Sequence, residues 1–261
     1  MITVLDQLGY ELNLKNYPSR VVSLVPSMTE LWAEMNGIET LIGRTKFCIH
    51  PNPQIKEVYK IGGTKNPRID DIINLKPDLI LANKEENEKS HIETLRKFAP
   101  VYTSDIKTVT DNISMAKDFE NLSASPNFGA HEILEAYQKL KTKTVNKTAI
   151  YLIWKNPYML AGGDTFINEM MTNVGFKNLF SNKSRYPTIS LNDIQKLNPE
   201  YILLSSEPYP FKSKDINELK KLNINSSIIL VDGEAFSWYG SKILHSIDYL
   251  KALQNSINSE L

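Results

Sequence analysis

Cys48 and His50 are the first pair in this sequence equipped for chemistry. They stand two residues apart in GRTKFCIHPNP, residues 43–53, just before two prolines that stiffen the segment. A thiol beside an imidazole is the minimum for a Cys–His nucleophile, and both groups are zinc ligands. Neither reading completes itself. The other histidines, His91, His131 and His245, lie far away on expected helices, and a zinc site needs three or four ligands. Phe47, Cys48 and His50 are better read as a loop that lines a cleft, so no metal ligand and no catalytic residue is assigned.

A second candidate is VPSMTEL, residues 25–31. A β-branched strand ends at Pro26, and Ser27 followed by Glu30 spells a capping box at the start of a helix. Ligands gather at the carboxyl ends of strands in α/β sheets, where helix N–H groups point outward. Ser27 is therefore a candidate contact as well as a cap. No phosphate loop of the G-x-x-x-x-G-K-[ST] or G-x-G-x-x-G kind occurs here.

The third candidate is GEAFSWYGSK, residues 233–242. Phe236, Trp238 and Tyr239 cluster between two glycines in an expected loop, ahead of a last helix near Ser241. Either they plug a core, or they form an aromatic wall for a large, flat, partly apolar ligand. Trp154, Tyr158 and Tyr186 are placed to extend such a wall, and Lys242 and Arg185 to supply positive charge at its rim.

The elements that must position these residues repeat. DIINLKPDLIL at 71 matches DIQKLNPEYIL at 193, an offset of 122 residues. Each copy reads as a short helix, a proline that ends it and a buried strand. Each is followed by a helix (SHIETLRKF, SKDINELKKL) and a short strand (PVYTS, SIILVD). Two copies of one supersecondary unit predict an α/β fold of two similar lobes, each a mainly parallel sheet with flanking helices. The expected divisions are 1–108, a helical segment 109–145 with a rigid backbone helix over 127–144, and 146–261. AGGD at 161–164 reads as a turn and cap.

Composition bounds the function. The chain has 261 residues, 41% of them hydrophobic and 23% charged, with thirty basic against thirty acidic side chains. A balanced charge argues against a surface that coats nucleic acid. One cysteine excludes an internal disulfide framework. No secretory leader is visible at the N-terminus, and no run is long enough to cross a membrane. The expectation is a periplasmic or cell-surface protein if a leader is missing, and a cytoplasmic one if the chain is complete.

Taken in order, RVVSLVPSMTELW, the 43–53 loop, IGGTKNPRIDDIINLKPDLIL, the interlobe helix, SLNDIQKLNPEYILL and FSWYGSK resemble the solute-binding proteins of cobalamin and iron-siderophore ABC importers, the helical-backbone class. The likeness runs from about Arg20 to Leu250. It implies two α/β lobes bridged by one long rigid helix, a ligand cleft between them and little closure. The first wall would carry Ser27 and Phe47, Cys48 and His50, and the second Trp154, Tyr186, Phe236, Trp238 and Tyr239. Cys48 falls where the cobalamin-binding member has a cleft tyrosine, and Tyr186 where it has a cleft tryptophan. A further cobalamin-contacting tryptophan aligns near Thr64. The glutamates that dock a permease correspond to Asp70 and Asn192, with Asp193 and Glu200 nearby.

The resemblance thus implies a monomeric, non-enzymatic binding protein for a small-molecule solute, with an ABC permease as partner. The ligand would be metal-containing (a corrinoid, a ferric siderophore or haem), and no covalent cofactor is expected. Two alternatives stay open: a cytoplasmic ligand-handling protein or enzyme that uses Cys48 and His50, and a receptor that captures a metal directly through side chains.

Overall fold

A computed structural model describes residues 1–140 and 146–259. They form two compact units: the first holds residues 1–106, 110–135 and 239–244, and the second holds the rest of the described chain.

The first unit begins with a hairpin the sequence reading did not anticipate. Strand β1 (Ile2–Leu5) pairs antiparallel with β2 (Glu11–Leu14). Between them Asp6 accepts the N–H groups of Leu8 (2.9 Å) and Tyr10 (2.8 Å). The same carboxylate accepts the Thr103 N–H (3.1 Å) and pairs with Arg96 at 3.0 Å, which ties the hairpin down. The apolar alternation of ITVLDQLGYELNL is too irregular to announce this from the sequence.

Four parallel strands follow: β3 (Val21–Ser23), β4 (Leu41–Arg44), β5 (Leu79–Asn83) and β6 (Val101–Ser104), in the order β4-β3-β5-β6. Their connections carry α1 (Pro26–Asn36), α2 (Ile69–Asn74) and α3 (Lys89–Leu95). Strands β3 and β5 are buried throughout, as unbroken apolar runs in a parallel sheet require.

Helix α4 (Val109–Asn121) was expected to belong to a separate interlobe segment. All but its first residue instead belongs to the first unit, because Phe119 is a core residue there. Its ring meets Trp32 edge-on at 5.3 Å and Tyr102 at 5.4 Å. Helix α5 (Ala130–Leu140) falls within the range expected to be helical over 127–144 and begins three residues later. The Asn127 side chain donates to Glu34 O, and the Glu132 carboxylate accepts the Gly129 N–H just ahead of the helix. The last expected turn, 141–144, lies outside the described residues.

The second unit is built on β7 (Lys147–Trp154), β8 (Tyr158–Leu160), β9 (Phe176–Asn178), β10 (Thr188–Ile189), β11 (Tyr201–Ser205) and β12 (Ser227–Val231). The sheet order is β10-β8-β7-β11-β12, with β9 also on β7. Strands β7, β9, β11 and β12 run parallel, β8 runs antiparallel to β7, and β10 antiparallel to β8. Helices α6 (Phe166–Val174), α7 (Leu191–Leu197), α8 (Ser213–Leu219), α9 (Gly233–Ser237) and α10 (Lys242–Ser259) complete it, with the first turn of α10 assigned to the first unit. Ile150, Leu152, Ile194, Ile202 and Leu204 share one buried cluster. The internal repeat is real in structure: α2–β5–α3–β6 corresponds to α7–β11–α8–β12, and each copy extends a parallel sheet.

Candidate functional site

In the first unit the chain leaves β4 through a tightly held turn. Arg44 is buried, and its Nη1 donates to the carbonyls of Cys48 (2.9 Å) and Thr45 (3.3 Å). The Cys48 thiol lies between the hydroxyls of Thr29 (3.0 Å) and Thr45 (3.1 Å). Cys48 is completely buried, and burial pushes its thiol above the ordinary cysteine value. The expected cleft-lining cysteine is thus a core residue, because its neighbours on the chain, and not itself, project outward. Phe47 is 50% and Ile49 47% exposed, and His50 is half-buried. Sequence reasoning missed Ile49, though its alternation with Cys48 is a usable signal.

The capping box expected at Ser27 is not formed. Val25 is the N-cap of α1, no side chain caps it, and Pro26 takes the first helical position, where its missing N–H costs nothing. Ser27 is buried, as is the whole first turn. Glu30 makes an ion pair with Lys242 (3.8 Å), both nearly sealed from solvent. Lys242 was expected as a rim cation; burial beside a carboxylate removes it from the rim.

The aromatic segment also departs from expectation. Residues 233–237 form α9, a short helix capped by Asp232, whose carboxylate accepts the N–H groups of Glu234 and Ala235. Phe236 has no exposed surface and packs on Tyr151 at 5.3 Å. The Trp238 Nε1 donates to Glu207 Oε1 (2.8 Å), and Ser237 Oγ to the same atom (2.9 Å). Burial raises the Glu207 carboxyl above its usual range, against the effect of these two donors. Tyr239 is buried in the first unit, where burial pushes its phenol well up. Next to it, Asn112 grips Gly240 at both backbone groups, at 2.7 and 3.3 Å. These aromatics are core packing of the units that hold them.

What the second unit exposes lies at the end of β7. Trp154 is 40% exposed and meets the half-buried Tyr209 edge-on at 5.8 Å, and Tyr209 in turn packs on Phe211 at 4.7 Å. Tyr209 was missed; its signal is EPYPF directly after β11, a loop at the carboxyl end of a parallel strand. Behind Trp154, Lys155 binds Asp215 (2.8 Å) and Glu218 (2.7 Å), fixing α8 to the strand end. Tyr186 is half-buried beneath the Arg185 guanidinium, 5.9 Å from its ring centroid.

The expected docking residues sit on the repeated helices. Asp70 is exposed in the first turn of α2, and its neighbour Asp71 is held by Arg68 and Tyr59. Asn192 and Asp193 are exposed on α7, with Asp193 completing a cap on Ser190. Glu200 is engaged elsewhere: it accepts the Thr148 N–H (2.7 Å) and pairs with Lys147, and the N–H is the chief cause of its lowered carboxyl.

Comparison with known proteins places these features in company. The family described as periplasmic binding protein matches residues 21–224. The chain is 27% identical over 244 residues to the vitamin B12-binding protein of Photorhabdus laumondii, covering 89% of this chain and 86% of that one. It is 25% identical over 218 residues to the uncharacterized ABC transporter substrate-binding lipoprotein YvrC of Bacillus subtilis, covering 77% and 68%. Among solved structures, the periplasmic vitamin B12 binding protein BtuF of Vibrio cholerae superposes with a TM-score of 0.80 at 20% identity, covering 93% of this chain and 98% of that one. A periplasmic heme binding protein from Pseudomonas aeruginosa gives 0.74 at 17% identity, covering 92% of each. These two likenesses concern the fold.

Proposed function

The chain belongs to the periplasmic binding protein family, and from that premise we propose that it captures a metal-bearing macrocycle or chelate for an ABC importer. Corrinoid, haem and ferric siderophore are the ligand types. One observation carries this reading. Large aromatic side chains stand exposed where parallel strands end: Phe47 after β4, and Trp154, with Tyr209 beside it, after β7 and β11. Exposed aromatics at these positions offer broad apolar faces to a bulky solute. Ile49, His50 and Tyr186 complete the proposed contacts. Ser27, Cys48, Phe236, Trp238, Tyr239 and Lys242 are buried and are left out of the proposed contacts. Relatives named for vitamin B12, and fold neighbours that bind heme, support the ligand class.

Asp70 on α2 and Asn192 with Asp193 on α7 are the proposed permease contacts, because they are exposed on corresponding helices of the repeat. The protein acts as a monomer outside the cytoplasm, as a periplasmic or lipid-anchored receptor. Among the described residues no helix is long and apolar enough to cross a membrane.

Equilibrium titration with cyanocobalamin, cobinamide, hemin and a panel of ferric siderophores tests the proposal. Binding of one of them should quench tryptophan fluorescence and raise the melting temperature. Silence across the whole panel sinks the ligand class. The competing reading, an enzyme built on Cys48 and His50, meets a sealed thiol whose pKa is raised, the reverse of an activated nucleophile.

A further inference from the structure

The turn after β4 is clamped at its base and open at its tip. Besides the Arg44 bonds, Cys48 N donates to Thr45 O (3.2 Å) and Lys46 N to Gly62 O (2.8 Å). With the backbone held on both sides, the side chains of Lys46 and Phe47 project side by side, and Ile49 beyond the buried Cys48 is exposed as well. Both lie over Gly63, where an added Cβ would meet Phe47 Cε2 at 3.6 Å and Lys46 Cε at 3.8 Å. The Lys46 Nζ stands 4.9 Å from the Phe47 ring centroid.

Lys46 has no carboxylate within ion-pair distance among the described residues. Other cations of the first unit are engaged: Lys65 with Glu88, Arg68 with Asp71, Lys242 with Glu30. Glu86 lies near enough for its charge to be felt at Cys48. A contact between an exposed ammonium and a ring is worth only about 0.5–1 kcal/mol, so the ring does not use up the cation. The tip therefore offers two things side by side: an apolar ring and an unneutralised ammonium with three donors.

That pair fits a solute with an apolar body and an anionic arm. A neutral, amide-armed corrinoid would satisfy the ring and offer the ammonium hydrogen-bond acceptors, but leave its charge uncompensated. We propose that Lys46 is a specificity-determining residue that selects metal chelates carrying peripheral carboxylates over charge-neutral ones, and that Arg44 is the positioning residue that holds the tip in place. The inference rests on the binding-protein reading above and narrows its ligand class.

The test uses the full chain as wild type, Lys46→Met and Lys46→Arg, titrated calorimetrically with hemin, ferric citrate and cyanocobalamin. Hemin or ferric citrate should bind wild type more tightly than cyanocobalamin does. Lys46→Met should weaken that binding about three- to tenfold, and Lys46→Arg should keep it within about twofold. Raising the salt to about 0.5 M should weaken the wild type more than Lys46→Met, since only the former pairs charges. A response to hemin alone identifies a flat macrocycle, and to ferric citrate alone a compact chelate; both support the assignment. Equal affinity of wild type and Lys46→Met for the carboxylate chelates overturns it, as does a wild-type preference for cyanocobalamin. If none of the three binds wild type, the ligand class proposed above falls with it.

Discussion

Trp238 and Glu207 are joined by a hydrogen bond of 2.8 Å, the indole Nε1 donating to a carboxylate that burial has already made reluctant to ionise. The bond binds the segment after α9 to the loop after β11, so a ring that reads as ligand-facing in sequence is moored from behind.

Glu207 makes a pH signature. Its folded-state pKa is raised, so the folded protein holds that proton to higher pH than the unfolded chain does. The stability it contributes is complete below the ordinary carboxylate value and is lost as pH rises through the folded value. Glu207→Gln keeps an acceptor for Trp238 and removes the titration. The melting temperature of wild type relative to Glu207→Gln should therefore fall as pH rises above the ordinary carboxylate value. A pH-independent difference would contradict this. Glu207→Ala, which orphans both donors, should cost about 1–3 kcal/mol.

Lys155 predicts the opposite slope. Burial opposes the charge on Asp215, but the Lys155 ammonium and the Lys212 N–H together hold its carboxyl below the usual range. The Lys155 bond is the chief cause of the lowered Glu218 carboxyl. Carboxyls held low contribute stability above their ordinary pKa and lose it as pH falls through the folded value. Lys155→Met should cost about 3 kcal/mol at neutral pH, because it strands the buried Asp215. The deficit should shrink on acidification, and urea denaturation at two pH values reads it.

Phe236 and Trp154 should separate stability from binding. Phe236→Ala empties a sealed site against Tyr151 and should cost about 3–5 kcal/mol of folding stability. Trp154→Ala removes a half-exposed ring whose main partner is Tyr209, a loss of about 1 kcal/mol, yet it should lower ligand affinity. If Trp154→Ala bound the wild-type ligand unchanged, Trp154 would leave the proposed site.

Cys48 should be inert in the native protein. Alkylation by iodoacetamide at neutral pH should be slow in buffer and rapid in denaturant, since burial raises the thiol and screens it. Fast native alkylation would instead revive the nucleophile reading.

Much of the architecture is legible from residue order. The repeated helix–proline–strand phrase placed α2–β5 and α7–β11 correctly, because a proline after a helix and an unbroken apolar run are local signals. The hairpin over Ile2–Leu14 escaped because its anchor, Asp6, finds Arg96 and Thr103 some ninety residues later. The Ser27 capping box failed for a related reason: Pro26 is enough to start the helix, and Glu30 is drawn to Lys242.

The sequence by itself determined the α/β class, the duplication and the family, since periodicity, proline stops and motif order depend on neighbours along the chain. Only the tertiary structure decided which candidates meet solvent. Cys48, Phe236 and Lys242 went inside, where packing and charge pairing satisfy them, while Phe47, Ile49 and Trp154 were left to face outward. Burial is a property of what surrounds a side chain in space, and a segment such as KFCIH does not carry that information in its own residues.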